Sequence, residues 1–248
     1  MQQENFKPIS VKAPSSNRLL FAIRCLLDLQ LKTIVRPLRP AMARLQGTVI
    51  DVGAGESPWR EWLPATTRYQ GIDVASAEAF GMEPSRPEIT YYDGKTIPFG
   101  DASFDGALCI EVLEHVDDPD RVISEIARCL KPGATLLLTV PWSARRHHLP
   151  YDFHRFTRER LLVLLSAHGF EHIEITERGT DISAIASKLV VLAARLLPRN
   201  IQTLWKVVPL IVLAPITAGF LIAAHMAEAF GGGAKEDPLG YFVQAIRG

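Results

Sequence analysis

The sequence predicts an α/β fold with a mostly parallel sheet flanked by helices. Short, uninterrupted apolar runs are typical of strands buried on both faces of a parallel sheet. They alternate with stretches whose apolar residues recur at helical spacing. The segment Gly47–Gly55, GTVIDVGAG, joins one such strand to a glycine turn, a geometry that places a ligand at backbone N–H groups. Seven strand candidates follow in order, at residues 48–52, 69–73, 89–92, 106–110, 134–140, 170–176 and 239–246.

The residues before the first strand predict one amphipathic helix. Apolar residues recur at i, i+3 and i+4 over 18–35, and Pro37 and Pro40 are expected to end the helix. Residues 1–46 hold eight Lys or Arg and two acids, so this segment has a net charge of +6. Two interpretations stay open: the helix packs over the sheet, or it lies on a membrane surface.

The glycine turn after the first strand is the first candidate binding site. Gly53 and Gly55 lack a Cβ, so the backbone there can approach a ligand closely. Asp51 precedes them and completes the pattern Asp-x-Gly-x-Gly. A dinucleotide-binding fingerprint requires a third glycine where this chain has Pro58. Asp73 ends the second strand 22 residues after Asp51, a spacing suited to contacting ribose hydroxyls.

The middle of the chain continues the alternation of strands and helices. A loop is expected from Asp73 to Glu88, followed by the third strand and the turn at Asp93-Gly94. The fourth strand lies within the block PFGDASFDGALCIEVLEHVDDP. Helices are predicted at 119–130, ended by Lys131-Pro-Gly133, and at 161–168, ended by Gly169.

These motifs resemble the class I S-adenosylmethionine-dependent methyltransferases. The resemblance lies in Asp-x-Gly-x-Gly, in the acid that ends the second strand, and in the block quoted above. That block is similar to the fourth-strand motif of the type 11 methyltransferase domain, the group that includes ubiquinone and menaquinone methyltransferases; LKPGATLLLTVP is also similar. The resemblance covers 47–178 and 239–247. It implies a Rossmann-like, seven-stranded sheet whose last strand is antiparallel.

The resemblance implies S-adenosyl-L-methionine as the cofactor. By the family pattern the glycine turn approaches the methionine part, Asp73 binds the ribose and Val74 flanks the adenine. Asp93 is expected at the adenine end, and the alternative for it is an ordinary Asp-Gly turn. The acidic residues would complement the sulfonium charge. The full set of expected cofactor-binding residues is Asp51, Gly53, Ala54, Gly55, Asp73, Val74, Asp93, Gly94, Ile110, Glu111 and His115.

The loop after the fifth strand, PWSARRHHLPYDFHRFT (141–157), lies where this fold places substrates. Histidine is the side chain best suited to accept a proton near neutral pH. We therefore expect the catalytic residues to be His148, His154 and Asp152. The alternative for each histidine is a solvated or structural role, and Thr157 is expected to cap the next helix.

Composition limits the classes of partner and the cellular location. The formal net charge is zero, so a nucleic acid is not predicted as a partner. The three cysteines are widely spaced and the loop histidines have no cysteine at zinc-site spacing, so we predict no disulfide and no metal. The first 17 residues are polar and predict no signal peptide. We expect a cytoplasmic protein, with a peripheral position on the inner face of the membrane left open.

About sixty residues separate the sixth and seventh strands. Residues 207–224 carry no charge and are long enough for a transmembrane candidate. A single crossing would separate the seventh strand from its sheet, so we predict a helical hairpin with helices near 183–197 and 201–230. Two interpretations stay open: shallow docking on an anionic membrane, favoured by a net charge of +4 over 182–227, or packing on the domain or in a homodimer interface.

The sequence therefore predicts four regions: an N-terminal helical segment (1–46), a methyltransferase core (47–178), an apolar helical insert (179–238) and the last strand (239–248). The expected function is methyl transfer from S-adenosylmethionine to a small-molecule, glycan or lipid-linked acceptor. One alternative is a non-catalytic, cofactor-binding adaptor for a membrane or a partner. The other is an NAD-dependent dehydrogenase on a similar fold, against which Pro58 argues.

Overall fold

The computed structural model describes residues 9–75 and 88–248, and these form the predicted α/β fold. Its seven strands have the order β3-β2-β1-β4-β5-β7-β6, in which β1 to β5 are parallel and β7 runs antiparallel between β5 and β6. The loop expected after Asp73 falls largely on 76–87, outside the described residues. The strands are β1 Thr48–Val52, β2 Arg68–Val74, β3 Ile89–Tyr92, β4 Phe104–Ile110, β5 Leu130–Pro141, β6 Phe170–Arg178 and β7 Gly240–Arg247.

Helices cover both faces of the sheet, which explains the continuous apolar strands. In β4, Ala107 and Cys109 pack on one face, whereas Leu108 packs on the other. The first face is covered by α3 and α4, and the second by α2. The helices are α1 Arg18–Leu27, α2 Leu29–Met42, α3 Pro119–Cys129, α4 Arg158–Ala167, α5 Asp181–Leu196 and α6 Val207–Phe230.

The single N-terminal helix expected from the sequence is wrong, because the chain breaks into α1 and α2 at Asp28. The backbone of Asp28 is extended, and its side chain accepts the N–H of Leu31 at 3.2 Å, so it starts a new helix. Pro37 and Pro40 lie inside α2 rather than ending it. A proline inside a helix costs about 3 kcal/mol. Burial of the surrounding apolar side chains against the sheet offsets this cost, at Leu38, Ala41 and Met42.

The predicted helical hairpin is present before the last strand. Its first helix is α5, the turn lies at residues 197–200, and its second arm is a 3-10 segment at Ile201–Lys206 that continues into α6. The helical stretch Ile201–Phe230 is long and apolar enough to cross a membrane, by length and composition alone. However, β7 follows it and pairs with both β5 and β6, so the chain leaves the domain and returns to the same sheet.

Among the described residues, the part of the hairpin that packs on the domain is its base. Small residues there let α5 and α6 approach the start of α2 and the residue before β7, in a cluster of Leu29, Ala184, Ala186, Ala224 and Leu239. Lys32 Nζ lies 2.8 Å from Glu228 Oε2, and His225 Nε2 lies 2.9 Å from the carbonyl oxygen of Leu26. The base of the hairpin is therefore joined to both N-terminal helices.

Arg178 is the last residue of β6, and its guanidinium is buried. It donates to the carbonyl oxygens of Val140 at 3.0 Å and Tyr241 at 3.2 Å, and to Glu111 Oε1 at 2.8 Å. Burial lowers the pKa of Arg178, and the carboxylates of Glu111 and Glu114 act in the opposite direction. One cation therefore joins β5, β6 and β7 to the segment that follows β4.

Replacing Arg178 is expected to destabilise the protein strongly. In Arg178→Met the carboxylate of Glu111 and two buried carbonyl groups lose their donor, so the free energy of unfolding should fall by about 3–5 kcal/mol. The matched control is Arg160→Ala, because Arg160 and Asp120 form a half-exposed ion pair that should contribute about 0–1 kcal/mol. Urea denaturation measures both, and equal losses in the two variants would contradict the role given to Arg178.

Candidate active site

The glycine turn lies at the carboxyl end of β1 and is held by β2. The backbone N–H groups of Gly53 and Ala54 both donate to the carbonyl oxygen of Ile72, at 2.9 and 3.0 Å. Gly53 and Gly55 have φ angles of +71° and +51°, a region that favours glycine. A Cβ on Gly53 would also lie 2.5 Å from Val112 Cγ2. Glycine is therefore required here for close packing and for the backbone conformation of the turn.

Asp73 stabilises the glycine turn from the end of β2. Its Oδ2 accepts the N–H of Gly55 at 2.8 Å, and its Oδ1 accepts the N–H of Val74 at 2.7 Å. Burial raises the pKa of Asp73, and these two hydrogen bonds act to lower it. The carboxylate thus lies beside the turn that the sequence assigns to the cofactor. Its contact with a ribose stays a prediction.

Asp51 lies beneath the turn and is buried. Its Oδ2 accepts the hydroxyl of Tyr69 at 2.7 Å, and that hydroxyl lies 2.9 Å from Ser57 Oγ. Burial raises the pKa of Asp51 to about 7, the hydrogen bond from Tyr69 lowers it, and the charge of Asp73 raises it. Asp51 can therefore hold a proton near neutral pH, and a cation bound beside it would favour the ionised form.

Asp93 and Gly94 form a tight turn after β3. Asp93 is exposed, and its Oδ1 accepts the N–H groups of Thr96 at 3.1 Å and Lys95 at 2.8 Å, which lowers its pKa. Gly94 has a φ angle of +75°, and a Cβ on it would lie 3.1 Å from Val74 Cγ1. The geometry supports the Asp-Gly turn, and a contact with adenine stays a prediction.

The end of β4 carries an unusual backbone conformation. Glu111 has a φ angle of +54°, which is uncommon for a residue other than glycine. Its N–H donates to the carbonyl oxygen of Thr139 at 3.0 Å, and its carboxylate is paired with Arg178. The acidic contribution expected from Glu111 is therefore largely neutralised. Ile110, also expected to bind the cofactor, is partly buried and packs with the apolar cluster beneath α2.

Three histidines meet beyond the carboxyl end of β4. The ring of His115 lies 4.7 Å from that of His147 and 5.2 Å from that of His148, and the latter two rings are 5.3 Å apart. Burial lowers the pKa of His115 to about 4, with smaller contributions from the other two imidazoles, so its ring is neutral at pH 7. The sequence analysis expects His115 at the cofactor, whereas the structure places its ring against two histidines of the loop at 141–157, which we call the acceptor loop after its expected role.

The other two predicted catalytic residues have structural partners. The ring of His154 lies 6.2 Å from that of Phe153 and 5.5 Å from that of Phe156. Asp152 accepts hydrogen bonds from Arg155 at 2.6 and 3.0 Å and from the N–H of His147 at 3.0 Å. Burial acts to raise the pKa of Asp152, but these hydrogen bonds outweigh it and lower the pKa. Asp152 therefore orders the loop around His147.

Glu114 is a site residue that the sequence analysis missed. It is fully buried in the segment after β4, and burial raises its pKa well above the usual value. Its Oε1 lies 3.6 Å from His115 Nε2, while its carbonyl oxygen accepts the N–H of Phe153 at 2.8 Å. The signal was present in the letters EVLEHV, where an acid adjoins the histidine, but no spacing rule connects these two residues to the histidines of a distant loop.

Thr157 caps α4 as predicted, because its hydroxyl accepts the N–H of Arg160 at 3.1 Å. The acceptor loop therefore begins at the end of β5 and ends at a fixed helix start. Between these two points it carries both His147 and His148 toward the segment that follows β4. The structure thus brings together one cluster from two separate motifs.

The model of a family described as a methyltransferase domain matches residues 27–175 of this chain. An O-methyltransferase of Aspergillus sclerotiorum, resE, is 30% identical over 178 residues, which cover 62% of this chain and 67% of that protein. A ubiquinone biosynthesis O-methyltransferase of Paracidovorax citrulli is 34% identical over 113 residues, which cover 40% of this chain and 48% of that protein. The chain thus spans about two thirds of one relative and half of the other.

Solved structures share the fold over nearly the whole chain. An S-adenosylmethionine-dependent methyltransferase of Thermotoga maritima superimposes with a TM-score of 0.54, at 12% identity, over 95% of this chain and 97% of that one. At that identity the likeness shows the fold alone. The family match begins at residue 27, so α2 lies within the region that this chain shares with the family.

Removal of the Asp73 carboxylate is expected to weaken cofactor binding. If the carboxylate accepts a hydrogen bond from each ribose hydroxyl, Asp73→Ala loses two charge-assisted hydrogen bonds of about 1.5–3 kcal/mol each. The affinity for S-adenosylmethionine should then fall at least tenfold. Calorimetric titration measures the affinity. Asp120→Ala, in a half-exposed ion pair on α3, is the matched control and should bind as wild type. An unchanged affinity in folded Asp73→Ala would refute the assignment.

The buried Asp51 is expected to make stability depend on pH in the ligand-free protein. Its native pKa of about 7 exceeds the unfolded value near 3.9, so the native state retains a proton that the unfolded state releases. Its contribution to stability is therefore lost as pH rises from about 4 to 7. Asparagine does not ionise in this range, so Asp51→Asn removes this pH-dependent contribution to stability. Urea denaturation at pH 5, 6 and 7 should show the variant gaining on wild type by roughly 1.4 kcal/mol per pH unit, and a constant difference would contradict the prediction.

Proposed function

This chain belongs to the methyltransferase domain family of S-adenosylmethionine-dependent enzymes, and on that premise we propose that it methylates a hydroxyl oxygen of a lipid-linked acceptor at a membrane surface. The observation that carries the proposal is the exposed apolar hairpin joined to the start of the acceptor loop. The family membership favours neither a dehydrogenase nor a non-catalytic adaptor. The cofactor supplies the methyl group, and the protein supplies position and electrostatics.

Methylation of oxygen is supported by the relatives and by the chemistry of the acceptor loop. Two matched relatives are O-methyltransferases by name. A hydroxyl oxygen must lose its proton as it attacks the methyl carbon, and neutral imidazoles can accept a proton at this step. His148 belongs to the histidine cluster beyond β4, so it is our first candidate for this base.

The hairpin exposes an apolar surface that the domain does not cover. In α6, Val208, Ile211 and Val212 are 70%, 68% and 64% exposed. Large exposed apolar patches mark interaction sites on proteins. We call the following exposed residues the hairpin surface: Ile185, Leu192, Leu197, Ile201, Leu204, Trp205, Val208, Ile211, Val212, Ile216, Phe220, Ile222, Met226 and Phe230.

The charges around the hairpin surface favour an anionic lipid surface. Residues 182–227 contain four cations and no acid; three of the cations, Arg195, Arg199 and Lys206, lie near the tip. Each such cation contributes about 1 kcal/mol toward anionic lipid. Cations at the tip are costly to bury at the bilayer centre. The hairpin is therefore expected to lie shallowly at the interface rather than to cross the membrane.

The helix α1 extends the same apolar surface. His225 of α6 contacts the carbonyl oxygen of Leu26, so α1 ends beside the hairpin. The N-terminal segment is also basic. The apolar side chains that α1 exposes are Leu19, Leu20, Ile23, Leu26 and Leu27. Their exposure supports the membrane-surface interpretation of the first N-terminal helix, while α2 takes the alternative role of packing on the sheet.

The base of the hairpin is joined to the acceptor loop. The N–H groups of Trp142 and Ser143, which open this loop, donate to the carbonyl oxygen of Leu239 at 2.9 and 3.2 Å. Gln30 of α2 donates to the carbonyl oxygen of Ser143 at 3.3 Å. A molecule held at the membrane surface by its lipid would thus reach the loop that carries the histidines. This proximity favours a lipid-linked acceptor over a soluble one.

The test is flotation of the full-length protein on vesicles containing anionic lipid. We expect wild type to float, and Val208→Glu/Ile211→Glu/Val212→Glu to remain in the soluble fraction, because three charges disrupt the apolar surface. The matched control is Leu162→Glu/Val163→Glu, which alters exposed apolar residues of α4 on the opposite face of the sheet. The control should float as wild type does. In the same samples, methyl-deuterated cofactor and membrane lipid extract should yield a labelled lipid product with wild type and the control, but not with the triple variant.

The homodimer interpretation predicts a different outcome. If wild type stays soluble with these vesicles and forms a dimer that the triple substitution dissociates, the hairpin surface is a protein interface and the membrane proposal is wrong. Sedimentation velocity without detergent distinguishes the two. A labelled product found in the aqueous extract, and absent from the lipid extract, would overturn the lipid-linked acceptor alone.

A further inference from the structure

Three side chains beyond the carboxyl end of β4 form a group suited to a metal ion. Glu114, His115 and His147 each offer one ligand atom, and these atoms lie within 4.8 Å of one another. We propose that they bind a divalent transition-metal ion that holds the hydroxyl of the acceptor. The metal site stands on its own geometry, whereas its part in methyl transfer rests on the proposed function.

The carboxylate of Glu114 is the first argument for a metal ion. Its side chain is fully buried, and neither oxygen accepts a hydrogen bond from another residue that the structure describes; its own backbone N–H is the donor that acts on it. Oε1 lies 3.6 Å from His115 Nε2, too far for a hydrogen bond. Burying a carboxylate without a partner is costly, and buried charges in proteins are paired or coordinate metals. A cation between Glu114 and the two imidazoles would satisfy it.

The two imidazoles are held in the orientation that metal ligands require. Nδ1 of His115 lies 2.6 Å from the carbonyl oxygen of Tyr151, and Nδ1 of His147 lies 3.0 Å from that of Arg145. A carbonyl oxygen only accepts, so each ring carries a proton on Nδ1, and Nε2 is the atom that would bind the ion. This is the outer-shell arrangement found at metal-binding histidines.

The ligand set indicates the kind of ion. Two imidazoles and one carboxylate that leave a position open are typical of catalytic zinc and of non-haem iron(II) sites. Calcium and magnesium prefer oxygen ligands. Ligand atoms bound at about 2.0–2.1 Å to a tetrahedral ion lie roughly 3.3 Å from one another. Shifts of about 1 Å in the three ligand atoms would therefore let them bind one ion. The loop histidines alone predict no metal site. Glu114 and His115 meet His147 only through the fold, so no spacing along the sequence indicates this group.

The proposed ion lies beside the cofactor turn, because Val112 of the same segment packs against Gly53. A hydroxyl oxygen in the open position would lose its proton to the base proposed above, His148, more readily, since a bound cation lowers the pKa of the hydroxyl. Its lone pair would then form the bond to the methyl carbon. The electrons of the broken carbon–sulfur bond pass to the sulfonium, which becomes a neutral thioether.

The test is titration of chelator-treated, full-length protein with Zn²⁺ by calorimetry, followed by Co²⁺ absorption spectroscopy. We expect one tight site in wild type and at least hundredfold weaker binding in Glu114→Gln and in His147→Ala. Bound Co²⁺ should give visible bands in wild type that both variants lose. His168→Ala is the matched control, because that imidazole lies beside Asp120 at the end of α4, away from the cluster. It should bind both ions as wild type does.

Cofactor titration of the same samples separates this proposal from the proposed function. A variant that still binds S-adenosylmethionine is folded. If Glu114→Gln or His147→Ala no longer binds it, His115→Ala is measured in place of that variant. Equal Zn²⁺ affinity in wild type and the folded ligand variants would overturn the metal site. Tight Zn²⁺ binding without any labelled methyl product would leave the metal site standing and contradict the proposed acceptor.

Discussion

The buried guanidinium of Arg178 connects the parts of this molecule that would otherwise be separate. It lies where β6 ends and the hairpin begins, and it binds the backbone of β5 and β7 and the carboxylate of Glu111. A buried cation is tolerated only when its donors are satisfied, so each of these partners is constrained by the others. The left-handed backbone of Glu111 is held by this contact, and the segment that carries Glu114 and His115 follows directly.

The two sides of the candidate active site consist of different chemical groups. The expected cofactor side consists of backbone groups and acids placed by strand ends, and Asp73 and Ile72 accept hydrogen bonds from the glycine turn. The proposed acceptor side consists of imidazoles and a buried acid contributed by two distant segments. Such a division suits methyl transfer, in which the cofactor supplies the electrophile and position contributes much of the rate enhancement.

Local patterns in the sequence were sufficient for the strands, for the glycine turn and for the hairpin, because each of these depends on residues close together in the chain. Apolar residues recur at helical spacing on both sides of Asp28, so the pattern predicts one helix. The side chain of Asp28 instead caps the start of a second helix, which the apolar pattern does not indicate. The meeting of His115 with His147, and the burial of Glu114 beside them, depend on how the segment after β4 and the loop after β5 come together in three dimensions. No spacing along the chain contains that information.

The position of β7 has a consequence for the order in which the protein folds. This strand lies between β5 and β6 in the sheet, yet it is synthesised after the entire hairpin. Until it emerges from the ribosome, β5 has an unpaired edge, β6 has no neighbour in the sheet, and the apolar hairpin is already made. Unpaired edges and exposed apolar surface are hazards for aggregation during synthesis. A nearby lipid surface would cover the hairpin during this interval, so early membrane contact would assist folding as well as access to the acceptor.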